Sequence, residues 1–498
     1  MNKLTVVILG LVCFAIYFSA LSNGFVFDDK ALIVSNPLLK SPRQLSQIFK
    51  AGLYDFWAGP ALYDRMYRPL QVLSYWMDYR IWGLRPFGFR LTNILLHLFN
   101  SILLYYLLSL IFKENKLPGF VSILFFIHPL NSSLAVYISS RGDLLSSFFM
   151  FLSMILFLKY IRRDKERKIE LYALSLFTAS AALLCRENAV ILFLFIALIM
   201  LTEKVKTRDY RFVIPFILLN LAYFSLRFYI FGYSGLFMHP EILSFPLRVV
   251  NFFNIVFRYL WLLFLPLGLH LFRGTQFILK PAAANAMIIW AAVLLSAAIV
   301  IRSRKNKPVC FGIFWFLTGL LPVLFFLDGY PMFHQAMMAE SWVYLSSTGF
   351  FILFFSLLSK FKNIGPVILC VFVIFYGLLS IANNAYWNND LLVHKRIVEY
   401  NLEPNPVRKD LIDDYLAAGL YEDALREVKN FSSYCPATAL SDVVWGNYYF
   451  ATGQITKAAE SYALALRKSP GKNFFLYQRL NLCYKMMGKE KTLVNNAK

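Results

Sequence analysis

The stretch Gly24-Phe25-Val26-Phe27-Asp28-Asp29 places two adjacent carboxylates directly after the first apolar segment of the chain, roughly residues 4–21. A helix of that length reaches across a bilayer at about 1.5 Å per residue. The two aspartates are therefore expected at a membrane face, where a charged pair is costly and points to a functional site. A solvated turn that caps the next segment is the alternative interpretation.

The composition predicts a membrane protein. Of the 498 residues, 59% are hydrophobic and 16% are charged, whereas soluble domains are about 45–50% apolar and about 25% charged. The net charge is +22, but Lys and Arg are concentrated in short loops such as 159–168 and 204–211. This pattern indicates membrane orientation rather than nucleic-acid binding. The six cysteines form no disulfide framework.

The order of apolar runs predicts an all-α, polytopic membrane helix bundle. After the first segment, interpreted as an uncleaved anchor, runs lie at roughly 91–112, 118–138, 142–161, 169–185, 187–203, 211–231, 248–271, 282–301, 309–327, 342–359 and 364–383. If the basic loops face the cytoplasm, the run 248–271 must be re-entrant or interfacial, broken near Pro266. About eleven crossings remain, with a cytoplasmic N-terminus and an extracytoplasmic C-terminus.

This topology brings a set of polar residues to the outer face: Asp28, Asp29, His128, Arg141, Asp143, Arg186, Glu187 and Glu340. The two aspartates are suited to act as a general base or to hold a divalent metal. The cations suited to a phosphate or to proton transfer are Arg68, Arg141, Arg186, His97 and His128. Structural alternatives are a loop partner for Arg68, the pairs Arg141–Asp143 and Arg186–Glu187, and simple packing for His97.

Carboxylates beside phosphate-binding cations suit the transfer of a sugar from a lipid phosphate. The cations would hold the phosphate as the leaving group while a carboxylate activates an acceptor hydroxyl. A non-catalytic membrane scaffold and a transporter are the alternatives from other classes. A transporter would place polar residues in the middle of broken helices, whereas these charges lie at the ends of apolar runs.

The last part of the chain, from about residue 404, is repetitive. Gly419 corresponds to Gly453 and Pro436 to Pro470, 34 residues apart in each case. This period is typical of tetratricopeptide helix–turn–helix units. We therefore expect a transmembrane domain over 1–390 with its first extracytoplasmic loop at 22–90, a linker at 391–403, and tetratricopeptide-like repeats over 404–498.

The motifs, taken in order, resemble the transmembrane-and-tetratricopeptide-containing protein O-mannosyltransferases of the GT-C glycosyltransferase superfamily. They are Phe27-Asp28-Asp29, Asn36-Pro37, Tyr67-Arg68-Pro69-Leu70, Asn93 with His97, His128-Pro129, Ser140-Arg141-Gly142-Asp143, Cys185-Arg186-Glu187-Asn188, and Ala339-Glu340 with Tyr344-Leu345. The resemblance covers nearly the whole chain. It departs where Ser132-Ser133 replaces an acidic residue, Ser341 replaces an arginine and Ser346 replaces a proline.

The resemblance implies a GT-C-like bundle that transfers a mannose-like hexose, with inversion, from a polyprenyl-phosphate donor to a Ser or Thr hydroxyl of an extracytoplasmic protein. Asp28 or Asp29 would be the base. Donor phosphate would be bound by residues from the set Arg68, His128, Arg141 and Arg186, supported by His97, Asp143, Glu187 and Glu340. A glycan or lipid acceptor is the alternative, and the metal requirement stays open.

The same resemblance predicts a prokaryotic-type protein in the bacterial inner or plasma membrane. Its site and repeats would lie outside the cytoplasm, and the repeats would hold the acceptor.

Overall fold

The computed structural model describes residues 10, 12, 15–55, 66–112, 116–162, 168–232, 245–271, 273–276, 306–326, 335–401, 407–469 and 474–488. The chain divides into two compact units, Met1–Asn388 and Asn389–Lys498. The described residues are mainly helical, which confirms the all-α class. They also contain a two-stranded antiparallel sheet of Arg273–Gln276 and Gln335–Met338, which sequence reasoning did not predict.

The first unit is a bundle of mostly apolar helices. Its longer α-helices are Pro69–Trp82, Pro86–Ile111, Leu117–Ile127, Pro129–Val136, Arg141–Arg162, Ile169–Cys185, Leu192–Thr202, Ile214–Phe231, Phe245–Phe264, Lys307–Leu320, Tyr344–Leu358 and Gly365–Asn384. Short α-helices lie at Pro37–Lys40 and Val323–Phe326. Short 3₁₀- or π-helical segments cover Ser19–Ser22, Lys30–Val34, Pro42–Phe49, Ile138–Ser140, Glu187–Ile191, Thr207–Val213, Glu340–Val343 and Ala385–Asn388.

Five helical segments of the described chain are long and apolar enough to cross a membrane. They are Pro86–Ile111, Ile138–Arg162, Thr207–Phe231, Leu247–Phe264 and Gly365–Asn388, and a bent pair over 117–136 makes a sixth if it is one span. Shorter apolar helices match the predicted runs 169–185, 187–203, 309–327 and 342–359. The protein is thus an integral, multi-pass membrane protein.

The number of about eleven crossings stays a prediction. The run 282–301 and half of the run 4–21 lie outside the described residues.

The predicted run 118–138 is broken by Pro129. The helices on either side meet at 55° because proline has no N–H to donate and its ring excludes the preceding turn. His128 caps the second helix, since its Nδ1 accepts the Leu130 N–H at 3.3 Å. The His128-Pro129 motif therefore has a structural role in bending this segment.

The helix over Phe245–Phe264 ends two residues before Pro266, where a break was predicted. Its segment Leu247–Phe264 is 18 residues long and apolar enough to cross a membrane. A re-entrant or interfacial placement of this segment stays a prediction.

The first loop is folded around a small core of its own. The buried members are Leu32, Ile33, Leu38, Leu39, Ile48, Leu53, Tyr54, Val72, Tyr75, Phe89 and Ile138. Asn36 organises one turn of it, accepting the Leu38 N–H at 3.0 Å and donating to the Leu32 carbonyl at 3.1 Å. Packing of these buried side chains thus holds in place the loop that carries the two aspartates.

The second unit consists of helices Asp390–Tyr400, Val407–Ala417, Tyr421–Tyr434, Ala439–Ala451, Ile455–Lys468 and Phe474–Met486. Gly419 and Gly453 both adopt positive φ, 71° and 77°, at the turns that the repeat predicts. Assignment to the tetratricopeptide class stays a prediction. The first of these helices occupies most of the segment 391–403, which was predicted to be a linker. Cys435 and Cys483 are free thiols.

Candidate functional site

The loop with the two aspartates is clamped by a buried arginine. Arg90, with no exposed surface, donates to the carbonyls of Asn23, Gly24 and Val136. Phe27 adopts a positive φ of 50°, a backbone region that bulky residues rarely occupy. Such strained backbone persists only where the surroundings hold it, and the clamp by Arg90 supplies that restraint.

Asp29 is a structural carboxylate. It has no exposed surface, and its Oδ1 accepts both the N–H (2.9 Å) and the hydroxyl of Ser139. Its Oδ2 accepts the Val26 N–H at 3.1 Å. Burial raises its pKa to about 7, although the hydrogen bonds from Ser139 and Val26 and the charge of Arg90 lower it. Both of its oxygens are therefore engaged in holding the loop.

Asp28 is the more exposed of the two carboxylates. It is half-buried, and its Oδ2 accepts a hydrogen bond of 3.1 Å from the Tyr54 hydroxyl. Burial raises its pKa above the usual range, and the nearby Tyr137 and Tyr54 hydroxyls and the Arg68 charge partly offset this. The sequence left open which aspartate is the base, and the geometry favours Asp28.

Replacing Asp29 with Asn is expected to weaken the loop. The amide oxygen can still accept from Ser139, but the amide nitrogen would face the Val26 N–H, and a buried donor left without an acceptor costs about 1–3 kcal/mol. We expect a lower midpoint of thermal unfolding and faster proteolysis within residues 22–55. Unchanged stability and protection would contradict the structural role of Asp29.

Two ion pairs form a cluster next to Asp28. Arg68 Nε and Nη2 both lie 2.9 Å from Glu187 Oε2. Arg186 Nη1 lies 2.5 Å from Asp143 Oδ2. Sequence reasoning offered the pairs Arg186–Glu187 and Arg141–Asp143 as alternatives. In the structure Arg186 pairs instead with Asp143, and Glu187 pairs with Arg68. The Arg68–Glu187 pair joins residues 119 positions apart in sequence.

Arg186 has a donor to spare within the described chain. Its Nε is buried and has no hydrogen-bond partner among the described residues, and the same is true of Glu187 Oε1. An unsatisfied buried donor costs about 1–3 kcal/mol, which a bound anion would recover. Phosphate is such an anion, and arginine binds it in a charge-assisted geometry. Of the predicted phosphate ligands, Arg68 lies close enough to Asp28 to lower its pKa, and Arg186 belongs to the same cluster of charges as Arg68.

Arg141 has a different environment from the one predicted. It has no exposed surface and forms a buried ion pair with Asp78. Its Nε donates to Asn93 Oδ1 at 2.7 Å, and its Nη2 donates to the Phe89 carbonyl. With its guanidinium already bonded on three sides, Arg141 connects three helices rather than presenting a free fork to a phosphate.

The two candidate histidines are also internal. His97 bonds the Tyr344 hydroxyl at 2.8 Å and the Phe126 carbonyl at 3.0 Å. His128 bonds the Leu263 carbonyl through Nε2 at 3.0 Å while its Nδ1 caps a helix. Both rings have no exposed surface. Their nitrogens are occupied, which matches the packing alternative considered for His97 and differs from the phosphate-binding role considered for His128.

Glu340 belongs to a separate group. Its Oε1 accepts the His270 N–H at 2.9 Å and lies 3.2 Å from Arg273 Nη2. Arg273 also donates to the Gly268 carbonyl at 2.7 Å. Where the resemblance implies an arginine next to Glu340 in sequence, this chain has Ser341. The cation beside the Glu340 carboxylate is instead Arg273, from the strand Arg273–Gln276.

Sequence reasoning missed Tyr54, Asp78, Arg90, Arg273 and Tyr137 as contributors to these contacts. Arg90 and Asp78 are charged residues in apolar surroundings, a signal that the sequence did contain. The tyrosines carried no comparable signal. In the described part of the chain, no group of three or more His, Cys, Asp or Glu side chains is arranged to hold a metal ion.

Fold and site together define a multi-pass membrane protein in which a half-buried carboxylate lies next to two arginines that are each paired with an acidic residue. No family model matches the chain. It is similar to the protein O-mannosyl-transferase TMTC3 of Homo sapiens (32% identity over 182 residues; 35% of this chain, 19% of the relative). It is also similar to TMTC4 of Mus musculus (32% over 213 residues; 38% and 28%). These similarities confirm the resemblance inferred from the motifs.

The matched region spans less than a third of each of these relatives, 19% and 28%. Among solved structures, ArnT from Cupriavidus metallidurans bound to undecaprenyl phosphate is similar at 13% identity and a TM-score of 0.42. The alignment covers 93% of this chain and 80% of that one.

Proposed function

We propose that the protein is a membrane glycosyltransferase of GT-C type. It moves a mannose-like hexose from a polyprenyl-phosphate donor to a Ser or Thr hydroxyl of an extracytoplasmic protein, with inversion at the anomeric carbon. The similarity to protein O-mannosyl-transferases supports the reaction class. The observation that carries the proposal is the half-buried Asp28, beside Arg68 and with one oxygen bound by Tyr54.

In this reaction the acceptor hydroxyl gives its proton to Asp28 as its oxygen bonds to the anomeric carbon. The bond from that carbon to the phosphate oxygen breaks, and the lipid phosphate leaves with the electron pair. Arg186, with Arg68, stabilises the negative charge that develops on the phosphate. Attack opposite the leaving group inverts the anomeric configuration.

The proposed orientation follows the distribution of basic loops. Lys159 and Arg162 end one apolar helix, and Lys204 and Lys206 follow another, so these ends face the cytoplasm under the positive-inside rule. The N-terminus is then cytoplasmic and the Asp28 site and the C-terminal repeats are extracytoplasmic. In this proposal the C-terminal unit holds the acceptor protein.

The test is transfer of radiolabel from polyprenyl-phosphate mannose by the purified full chain, supplied with extracytoplasmic proteins of the source organism. Parallel reactions contain a metal chelator. Label in protein supports the proposal, and label in a lipid or glycan changes the acceptor class. Neither transfer nor binding of the donor by the wild-type chain would contradict the proposal and favour a membrane scaffold.

Tyr54→Phe is expected to shift the pH dependence of transfer. Asp28 must be ionised to act as a base, so the rate rises with pH through its pKa. The Tyr54 hydrogen bond lowers that pKa, and its loss raises it. The acidic limb of the pH–rate profile should therefore move to higher pH, while the rate at alkaline pH changes less. A limb that stays in place, or moves to lower pH, would contradict the assignment of Asp28.

A further inference from the structure

Four helix ends of the first unit meet around a cleft. The helices Pro86–Ile111, Arg141–Arg162 and Leu192–Thr202 end at this cleft, and the helix Lys307–Leu320 begins there. Its volume is about 720 Å³, within the range of ligand-binding clefts, about 300–1,000 Å³. The walls include Leu110, Ile111, Phe112, Arg162, Glu203 and Lys307. None of these residues belongs to the Asp28 site.

The cleft lies where the bundle leaves the membrane. The segments Pro86–Ile111 and Ile138–Arg162 are long and apolar enough to cross a membrane, and both end at the cleft. Shortly before these ends, the Lys159 ammonium lies 5.0 Å from the centre of the Tyr106 ring. Lysine and tyrosine side chains near helix ends are typical of the headgroup region. The cleft is therefore at the level of the lipid headgroups.

One carboxylate of the cleft holds two cations. Arg162 contacts both oxygens of Glu203, at 2.9 Å from Nε and 3.1 Å from Nη2. Lys307 Nζ lies 3.6 Å from Glu203 Oε1 and donates to the Ile111 carbonyl at 3.2 Å. Arg162 Nη2 also donates to the Leu110 carbonyl at 2.6 Å. The two cations are thus fixed in position, and they exceed the single carboxylate by one positive charge.

Both cations retain donors for a further anion. The contacts of Arg162 with described residues use Nε and Nη2, which leaves Nη1 and its two hydrogens. Lys307 has three N–H donors, and one of them bonds a carbonyl. The side chains of Arg162 and Lys307 are 37% and 47% exposed, so a ligand can reach the remaining donors. An arginine and a lysine side by side suit a phosphate.

The surface next to the cleft suits an acyl chain. Phe314 lies seven residues after Lys307, about two turns further into the membrane. The two residues share one face of their helix, and Phe314 is 47% exposed. Cations at the headgroup level with an exposed ring below them match the order of phosphate and acyl chain in a phospholipid. Basic pockets between transmembrane helices bind anionic headgroups in this way.

We propose that this cleft binds the headgroup of an anionic glycerophospholipid, with its phosphate between Arg162 Nη1 and Lys307 Nζ and an acyl chain along Phe314. The site is separate from Asp28 and the ion pairs next to it. The inference therefore goes beyond the proposed transferase activity and does not depend on it. The bound lipid joins the ends of four helices and stabilises this end of the bundle.

The experiment measures binding of phosphatidylglycerol to the purified full chain in a neutral detergent, by native mass spectrometry and by the midpoint of thermal unfolding. Phosphatidylcholine with the same acyl chains tests the need for net negative charge, and inorganic phosphate tests a free anion. The cleft variant combines Arg162→Gln with Lys307→Gln. The matched control combines Lys206→Gln with Arg208→Gln, which removes two exposed positive charges that do not line the cleft.

The wild type should bind phosphatidylglycerol more tightly than phosphatidylcholine. Phosphatidylglycerol should also raise the unfolding midpoint, because it binds the folded state. The cleft variant should lose affinity for phosphatidylglycerol by at least about 10-fold, since two charge-assisted contacts to phosphate are removed, whereas the control should stay close to the wild-type value. Lys307→Gln alone should lose affinity in the same direction, and it supplies the result if the double variant does not fold.

Equal affinity of the wild type for the two lipids would overturn the proposal. Equal losses in the cleft and control variants would also overturn it, since they would show a general effect of surface charge. Inorganic phosphate that raises the midpoint as much as phosphatidylglycerol at equal concentration would identify a site for a free anion and overturn the assignment to a lipid. These readouts are binding and stability, so failure of the sugar-transfer assay would overturn the proposed function alone.

Discussion

Asp28→Asn is expected to lower the rate of sugar transfer by at least about 10²-fold, the usual contribution of a general base. Asparagine keeps the shape of the side chain and can still accept the Tyr54 hydrogen bond, but it cannot take the proton of the acceptor. Because Asp28 is half-buried and its Tyr54 hydrogen bond can be kept, the variant should fold normally. The measurement is transfer of radiolabelled mannose by purified wild type and variant at equal concentration.

Two comparisons make this result specific. Asp423→Asn, on the exposed face of the second unit with a side chain 37% exposed, is the matched control and should retain activity. Asp29→Asn should lower the stability of the protein, and any loss of activity should follow from that lower stability. Full transfer by Asp28→Asn would refute the assignment of the base, and a misfolded Asp28→Asn would show that this carboxylate too is structural.

Arg141→Met is expected to cause the largest loss of stability of any single change among the predicted site residues. It removes the cation from a buried ion pair and leaves Asp78, whose side chain is 8% exposed, as an uncompensated buried charge. Breaking such a pair from one side costs about 3–5 kcal/mol. The ring contacts of Arg141 with Tyr75 at 4.8 Å and Phe89 at 5.9 Å are lost as well.

The measurement is the midpoint of thermal unfolding in detergent, together with the yield of monodisperse protein. Adding Asp78→Asn to Arg141→Met should recover part of the loss, because the remaining partner is then neutral. Arg162→Ala is the control, since this arginine is 37% exposed in its pair with Glu203 and exposed pairs contribute about 0–1 kcal/mol. Equal losses at Arg141 and Arg162 would contradict the buried-pair explanation.

The residues of the site were predictable from the chain, whereas their partners were not. Asp28, Asp143, Arg186 and Glu187 are charged residues at the ends of apolar runs, and their cost in that position marked them; Arg68 was marked by its motif, Tyr67-Arg68-Pro69. Pairing depends on which helix ends meet. The sequence pattern suggested ion-pair partners only among residues close in sequence. In the folded chain Arg68 pairs instead with Glu187, and Arg186 pairs with Asp143.

The choice between the two aspartates shows the same limit. Asp28 and Asp29 are chemically identical and adjacent, so composition and spacing treat them alike. The strained turn at Phe27 and the hydrogen bonds from Ser139, 110 positions away, hold the Asp29 carboxylate in the interior and leave the Asp28 carboxylate half-buried.

Charged residues inside apolar helices were ambiguous for a related reason. Arg141 has the residue type of a phosphate ligand, and nothing near it in sequence indicates that Asp78, Asn93 and the Phe89 carbonyl will satisfy its guanidinium. For His97 packing was the alternative to a role in the site, and for His128 a phosphate-binding role was considered, until their ring nitrogens were assigned partners.

Local physical chemistry accounts for what the sequence alone predicted. The hydrophobic composition predicts a membrane protein, and the repeated small residues and glycines predict a helical second unit. Charges at helix ends, which are costly there, mark a candidate site. These properties need only short-range information. Distinguishing the environments of Asp28 and Asp29 and identifying the ion-pair partners required contacts between segments far apart in sequence. Such contacts are set by how whole helices pack, and no local pattern encodes them.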